Sequence, residues 1–119
     1  MNINTLINKT LIDCKQNGLD EIIFKVSDDE IYNLSHNQDC CESVLIEDVC
    51  GDLNDLIGSP ILQAEESTSD KNPSDINKEY QDSFTWTFYR ITTMKGQVVI
   101  RWYGESNGYY SESVDFERC

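Results

Sequence analysis

A chain of 119 residues with 39% hydrophobic content is long enough for one domain with a core of its own, and too apolar for a disordered tail. Its net charge of −13 is confined to the middle. Residues 1–19 sum to +1, residues 20–82 to −14 (17 acids against Lys25, Lys71 and Lys78) and residues 83–119 to 0. Such a field opposes direct nucleic-acid binding and anionic membrane, and favours basic protein surfaces or cations. No apolar run reaches the roughly 20 residues of a membrane span, and no signal peptide is visible. Five cysteines, an odd count without a secreted-scaffold spacing, point to a reducing compartment.

In chain order, residues 4–17 read as a helix. Ile3, Leu6, Ile7, Leu11 and Cys14 form one apolar stripe, and Asn17-Gly18 is a stop. Residues 21–26 and 30–34 read as a hairpin around Ser27-Asp28-Asp29. Residues 42–49 are rich in β-branched side chains and read as a strand. One helical turn over 53–57, ended by Gly58 and Pro60, and a short strand over 61–64 follow. Residues 65–82, poor in apolar side chains, read as a mobile loop within a single domain spanning 1–119.

In the C-terminal third, Phe84, Trp86 and Phe88 alternate with Thr85, Thr87 and Tyr89. Val98, Ile100 and Trp102 alternate with Val99, Arg101 and Tyr103. A three-residue turn at Met94-Lys95-Gly96, with Gly96 left-handed, pairs Thr93 with Gln97 and sets Phe88 opposite Trp102. All the large aromatics then share one face. Asn107-Gly108 signals a second hairpin, but a tight turn there places Val114 and Phe116 opposite Ile100 and Trp102. Either Gly104 is bulged or both sheet faces are covered. The fold class expected is α+β: an N-terminal helix packed on a mainly antiparallel sheet of about five to seven strands.

Residues 36–58, HNQDCCESVLIEDVCGDLNDLIG, hold the single histidine, three cysteines and six carboxylates. His36, Cys40, Cys41 and Cys50 are zinc-ligand types without a Cys-x-x-Cys spacing. Neighbours such as Cys40 and Cys41 point to opposite faces of a strand, so packing inside the strand is the simpler reading and no metal or other cofactor is expected. His36 with Cys40 or Cys41, oriented by Asp39, is a possible nucleophile pair, although catalytic Cys and His normally lie far apart in sequence. Asp48, Asp52 and Asp55 with Glu47 lack the alternation and closing Glu of an EF-hand. Glu65-Glu66 and Glu105 carry no sign of a substrate.

The remaining reading is an acidic interaction face built by Asp39, Glu42, Glu47, Asp48, Asp52 and Asp55, whose spacing along a strand imitates a nucleic-acid backbone. His36, Glu105, Asn107, Tyr109 and Tyr110 form a secondary candidate surface, with aromatics beside a polar turn.

The blocks HNQDCCESVLIEDVCGDLNDLIGSPILQAEE and TWTFYRITTMKGQVVIRWYGESNGYYSESVDF resemble an uncharacterised family of small acidic domains found in bacteriophage genomes. The resemblance implies phage origin and the host cytoplasm, and transfers no residue role. With the charge, it leads to a non-enzymatic protein that binds a basic surface on a host protein, such as an anti-CRISPR-like inhibitor of host defence or of another nucleic-acid-binding host protein. The alternatives are a metal-dependent or Cys–His enzyme centred on His36, Cys40 and Cys41, and a sponge for a small nucleotide signal if Arg90 and Arg101 line a pocket.

Overall fold

The computed structural model describes residues 1–37, 42–72, 83–106 and 111–119. Among these, eight strands form two four-stranded antiparallel sheets. The smaller sheet joins β1 (Asp13–Asn17), β2 (Glu21–Ser27), β3 (Glu30–Ser35) and β8 (Asp115–Arg118) in the order β1-β2-β3-β8. The larger joins β4 (Glu42–Cys50), β5 (Gln63–Ser69), β6 (Ser83–Thr93) and β7 (Gly96–Ser106) in the order β4-β7-β6-β5.

The expected α+β class is therefore wrong: the domain is mostly β, and the described residues contain no α-helix. The N-terminal stripe is buried as anticipated at Ile3, Leu6, Leu11 and Cys14, but by another route. A 3-10 turn covers Ile3–Leu6, and Asn8 then takes φ 71°, which ends helical geometry at a residue type that tolerates it. Asn8 N–H donates to Ile61 O at 2.8 Å, Ile61 N–H to Lys9 O at 2.9 Å and Gly58 N–H to Leu11 O at 2.9 Å. These bonds to a sequence-distant loop draw the segment out straight, and β1 continues it against β2. Local periodicity contains no trace of that partner.

The β2–β3 hairpin and β4 lie where the pattern puts them, as does the turn at Leu53–Leu56, here 3-10 and capped by the Asp52 side chain. β5 runs on to Ser69 and absorbs residues 65–69, the start of the expected loop; residues 73–82 lie outside the described residues. Asn107-Gly108 also lies outside them. No β7–β8 hairpin forms, because β8 pairs with β3 in the other sheet. Gly104 is not bulged. A Cβ there would meet Glu112 O at 2.6 Å, so glycine admits the segment that crosses between sheets.

The β6–β7 hairpin forms one residue out of the expected register. Thr93 pairs with Gly96 and Thr92 with Gln97, across a two-residue Met94-Lys95 turn. Thr93 Oγ1 sets that turn by accepting the Lys95 N–H at 3.2 Å and donating to Asp55 O at 2.5 Å. Gly96 needs no left-handed φ; Asp55 approaches it so closely that a Cβ would lie 2.9 Å from Oδ2. A one-residue slip exchanges the faces of one strand relative to the other. Thr87, Tyr89 and Ile91 accordingly join Trp102, Ile100 and Val98 on the core side, and Phe84, Trp86 and Phe88 join Tyr103, Arg101 and Val99 on the opposite side.

Both sheets turn their inward faces to one core. Phe24, Leu34 and Phe116 come from the smaller sheet, and Ile46, Tyr89, Ile100 and Trp102 from the larger. Leu6, Leu11, Leu56 and Ile61 seal it, all fully buried. Each such side chain contributes roughly 1.5–3 kcal/mol of burial. Phe116 stacks on Tyr32 at 5.3 Å and meets Phe24 edge-on at 6.1 Å.

Candidate functional site

The outer face of the larger sheet is built from rows of paired residues. One row runs Glu65–Arg90–Val99–Cys50 across β5, β6, β7 and β4; the next runs Ser67–Phe88–Arg101–Asp48; the third runs Ser69–Trp86–Tyr103–Leu45. A solvated face of an antiparallel sheet normally carries polar side chains. This one carries five aromatic or branched apolar residues at its centre: Phe84, Trp86, Phe88, Val99 and Tyr103.

Trp86 is fully buried although it lies on the side away from the core. Its indole N–H donates to Asn72 Oδ1 at 3.0 Å. Tyr103 tilts against it at 4.7 Å, and the Arg101 guanidinium lies 5.3 Å from its ring centroid. Phe84 stacks on Tyr103 at 6.2 Å, and the Tyr103 hydroxyl donates to Glu105 Oε2 at 2.6 Å.

A β-bulge shapes the edge of the face. Ile46 pairs with Trp102 and Asp48 with Arg101, leaving Glu47 as the extra residue. Two successive carboxylates are thereby brought beside Arg101, and its Nε donates to Glu47 Oε2. Two adjoining recesses share Phe88 and Val99 as walls. One of about 300 Å³ is completed by Glu65, Ser67 and Arg90, the other of about 220 Å³ by Asp48, Cys50 and Arg101. The geometry suits a ligand with an apolar stem and a charged head.

Residues 4–116 match DUF7448, a domain of unknown function. The chain belongs to the DUF7448 family. No curated protein and no solved structure matches it.

The DUF7448 domain scatters the acids expected to form one face. Glu47 and Asp48 stand on the outer face. Asp52 caps the 3-10 turn by accepting from Asn54 N–H at 2.9 Å, and Asp55 sits under the Thr93–Gly96 turn. Glu42 is turned inward, its side chain 1% exposed, because β4 is bulged between it and Asp48 and it shares the parity of buried Val44 and Ile46. Asp39 lies outside the described residues. Of the secondary surface, Glu105 is on the outer face; Asn107, Tyr109 and Tyr110 lie outside the described residues.

His36 is a structural link in this DUF7448 domain. Its side chain is 5% exposed; Nδ1 lies 2.7 Å from Ser113 O and Nε2 lies 3.3 Å from Glu42 Oε1. A carbonyl oxygen only accepts, so Nδ1 donates to it. The cluster ties the end of β3, the start of β4 and the segment leading to β8. Cys50 lies at the opposite end of β4 from Glu42, roughly 26 Å away at about 3.3 Å per residue, and so drops out of any ligand set with His36. It is exposed rather than packed in the strand. Cys40 and Cys41 lie outside the described residues, and no metal-holding group of three or more His, Cys, Asp or Glu occurs among those described. No described helix is long and apolar enough to cross a membrane.

Phe88, Val99, Glu65 and Trp86 are the site residues that sequence reasoning missed. For Trp86 and Phe88 the signal was present in the strict alternation of β6, and a one-residue error in the turn set them on the face of Ile100 and Trp102; Val99 was read as the alternate of Val98 and Ile100, and Glu65 as the start of a loop.

Proposed function

We propose that this DUF7448 domain is a non-enzymatic binding protein of phage type that occupies a basic, nucleic-acid-binding surface of a host defence protein, as an anti-CRISPR-like inhibitor does. The observation that carries this reading is the aromatic outer face of the larger sheet, flanked by Glu47, Asp48, Glu65 and Glu105. Half-buried Phe84, Phe88 and Tyr103, backed by the already buried Trp86 and set inside a charged rim, match the usual composition of a protein interface. The excess of 14 negative charges over residues 20–82 supplies the long-range attraction to a basic partner. The resemblance of two sequence blocks to phage domains supports the setting.

The nucleotide-sponge alternative gains from the positions of Arg90 and Arg101 in the two recesses. It loses because Arg101 is already bonded to Glu47, and because Asp48 and Glu65 stand where a phosphate would lie. A Cys–His enzyme would need a free imidazole nitrogen, and both nitrogens of His36 are engaged.

The test is competition. Purified host effector nucleases are loaded with labelled nucleic acid and titrated with the domain at low and high salt. Displacement that weakens steeply with salt is expected. A partner that holds nucleic acid and the domain together, or a complex indifferent to salt, refutes the proposal.

A further inference from the structure

We infer that the recess between Asp48 and Phe88 is a socket for a single arginine side chain presented by a partner. This rests on the binding reading above and assigns the chemistry of its anchor.

The face already displays how it holds a guanidinium. Arg101 lies over the Trp86 ring and is held at its edge by Glu47. Phe88 is the cross-strand neighbour of Arg101, and Asp48 is its neighbour on the other side. Phe88 and Asp48 thus offer a second ring and a second carboxylate on either side of Arg101, and with Cys50, Val99 and Arg101 itself they line the recess. Asp48 has no ion pair or hydrogen bond among the described residues.

Charge complementarity selects the occupant. Glu47 neutralises Arg101, and Glu65 faces Arg90 across β5 and β6. Glu47, Asp48 and Arg101 together leave one net negative charge beside half-buried Phe88 and Val99. The recess, about 220 Å³, has room for one long side chain. A guanidinium fits it better than an ammonium: it is planar, stacks on a ring face and meets a carboxylate with two parallel N–H donors. Its methylene stem covers Val99. The occupant comes from a second protein, since Arg101, which lines the recess, is bonded to Glu47 and Arg90 faces Glu65.

The experiment is an NMR titration of the isotope-labelled full chain with N-acetyl-arginine amide, its lysine counterpart and the uncharged citrulline counterpart. Arginine should shift the amides of Asp48, Phe88 and Val99 in a saturable way, with a dissociation constant of order millimolar. Lysine should bind more weakly and citrulline should not saturate. Asp48→Asn, an exposed substitution with little effect on folding, should weaken arginine at least about tenfold. Asp20→Asn, which removes the same charge from the β1–β2 turn, should change it less than about twofold. Equal loss in the two variants, saturable binding of citrulline, or shifts spread over all acidic positions would overturn the socket. Salt-sensitive displacement of nucleic acid that survives Asp48→Asn unchanged overturns the socket and leaves the proposed function standing. Local arginine binding without any displacement does the reverse.

Discussion

Replacing Glu112 with alanine should destabilise the domain by about 2–3 kcal/mol. The carboxylate accepts from Thr85 Oγ1 at 2.8 Å and from Ser106 Oγ at 2.5 Å, and so fastens the segment before β8 to both long strands of the larger sheet. A hydrogen bond to a charged group is worth roughly 1.5–3 kcal/mol when buried; partial exposure reduces each to about 1 kcal/mol. Loss of the carboxylate stem also removes packing under the crossing segment, at up to about 1 kcal/mol more. With an m-value near 1.5 kcal/mol/M, the urea midpoint should fall by about 1.5–2 M. Glu112→Gln keeps the shape and one acceptor, and should cost about 1 kcal/mol. The pH dependence carries its own sign. Burial pushes the Glu112 acid equilibrium up, but hydrogen bonds from Ser106, Ser83 and Thr85 outweigh it and hold the carboxyl below its ordinary value. A depressed carboxyl contributes stability that is complete above the unfolded carboxylate range and is lost as pH falls through the folded value. Urea midpoints measured from neutral to acid pH should therefore converge for the parent and Glu112→Gln. A Glu112→Ala domain within about 0.5 kcal/mol of the parent at neutral pH, or parallel acid limbs for parent and Glu112→Gln, would refute this account.

Four further outcomes are expected. Gly51→Ala should cost about 3 kcal/mol in urea melts, because Gly51 has φ 114° and a Cβ would lie 2.6 Å from Gln97 O. Gly18→Ala, at φ 68° with 3.4 Å to Asp20 Oδ1, should cost only about 1 kcal/mol. Iodoacetamide at mildly alkaline pH should label Cys50 and Cys119 at once, read by peptide mass spectrometry. Cys14 should react only on unfolding, since burial, helped by nearby Asp13, pushes its thiol up to about 12. His36→Ala should lower stability by roughly 2–4 kcal/mol through loss of its bonds to Ser113 and Glu42, yet leave arginine titration unchanged, because it is buried at the far end of β4.

Much of the fold was legible where local chemistry decides it. Alternation marked β6 and β7, the Ser27-Asp28-Asp29 turn marked β2 and β3, β-branched content marked β4, and Gly58 and Pro60 closed the 3-10 turn. The failures share a cause: a partner distant in sequence. Asn8 leaves helical geometry to reach Ile61, and residues 65–69 become a strand because Phe88 and Arg90 offer them an edge. Asn107-Gly108 suggested that the last strand pairs with β7, whereas β8 pairs with β3, where Phe116 meets Leu34. The site suffered from a smaller error of the same kind. Gly96 suggested a left-handed turn residue, whereas it is glycine because Asp55 presses against it. That single misreading moved Phe84, Trp86 and Phe88 from an outer face into the core, and left the acids of β4 without the aromatics they flank. Glu42 was misplaced because the β4 bulge, at which parity changes, has no sequence mark beyond the doubled acids Glu47-Asp48.

The pairing of β8 with β3 also governs how the domain is made. Leu34 finds Phe116 only after the whole of the larger sheet has intervened in sequence. Such a contact is slow to close, because the loop entropy is lost before the contact stabilises anything. Until then β3 presents an open edge, and Tyr32 lacks the ring that stacks on it. Synthesis of this protein thus includes an interval in which a strand edge is available to any extended segment nearby, and chaperone demand or aggregation during expression should concentrate in that interval.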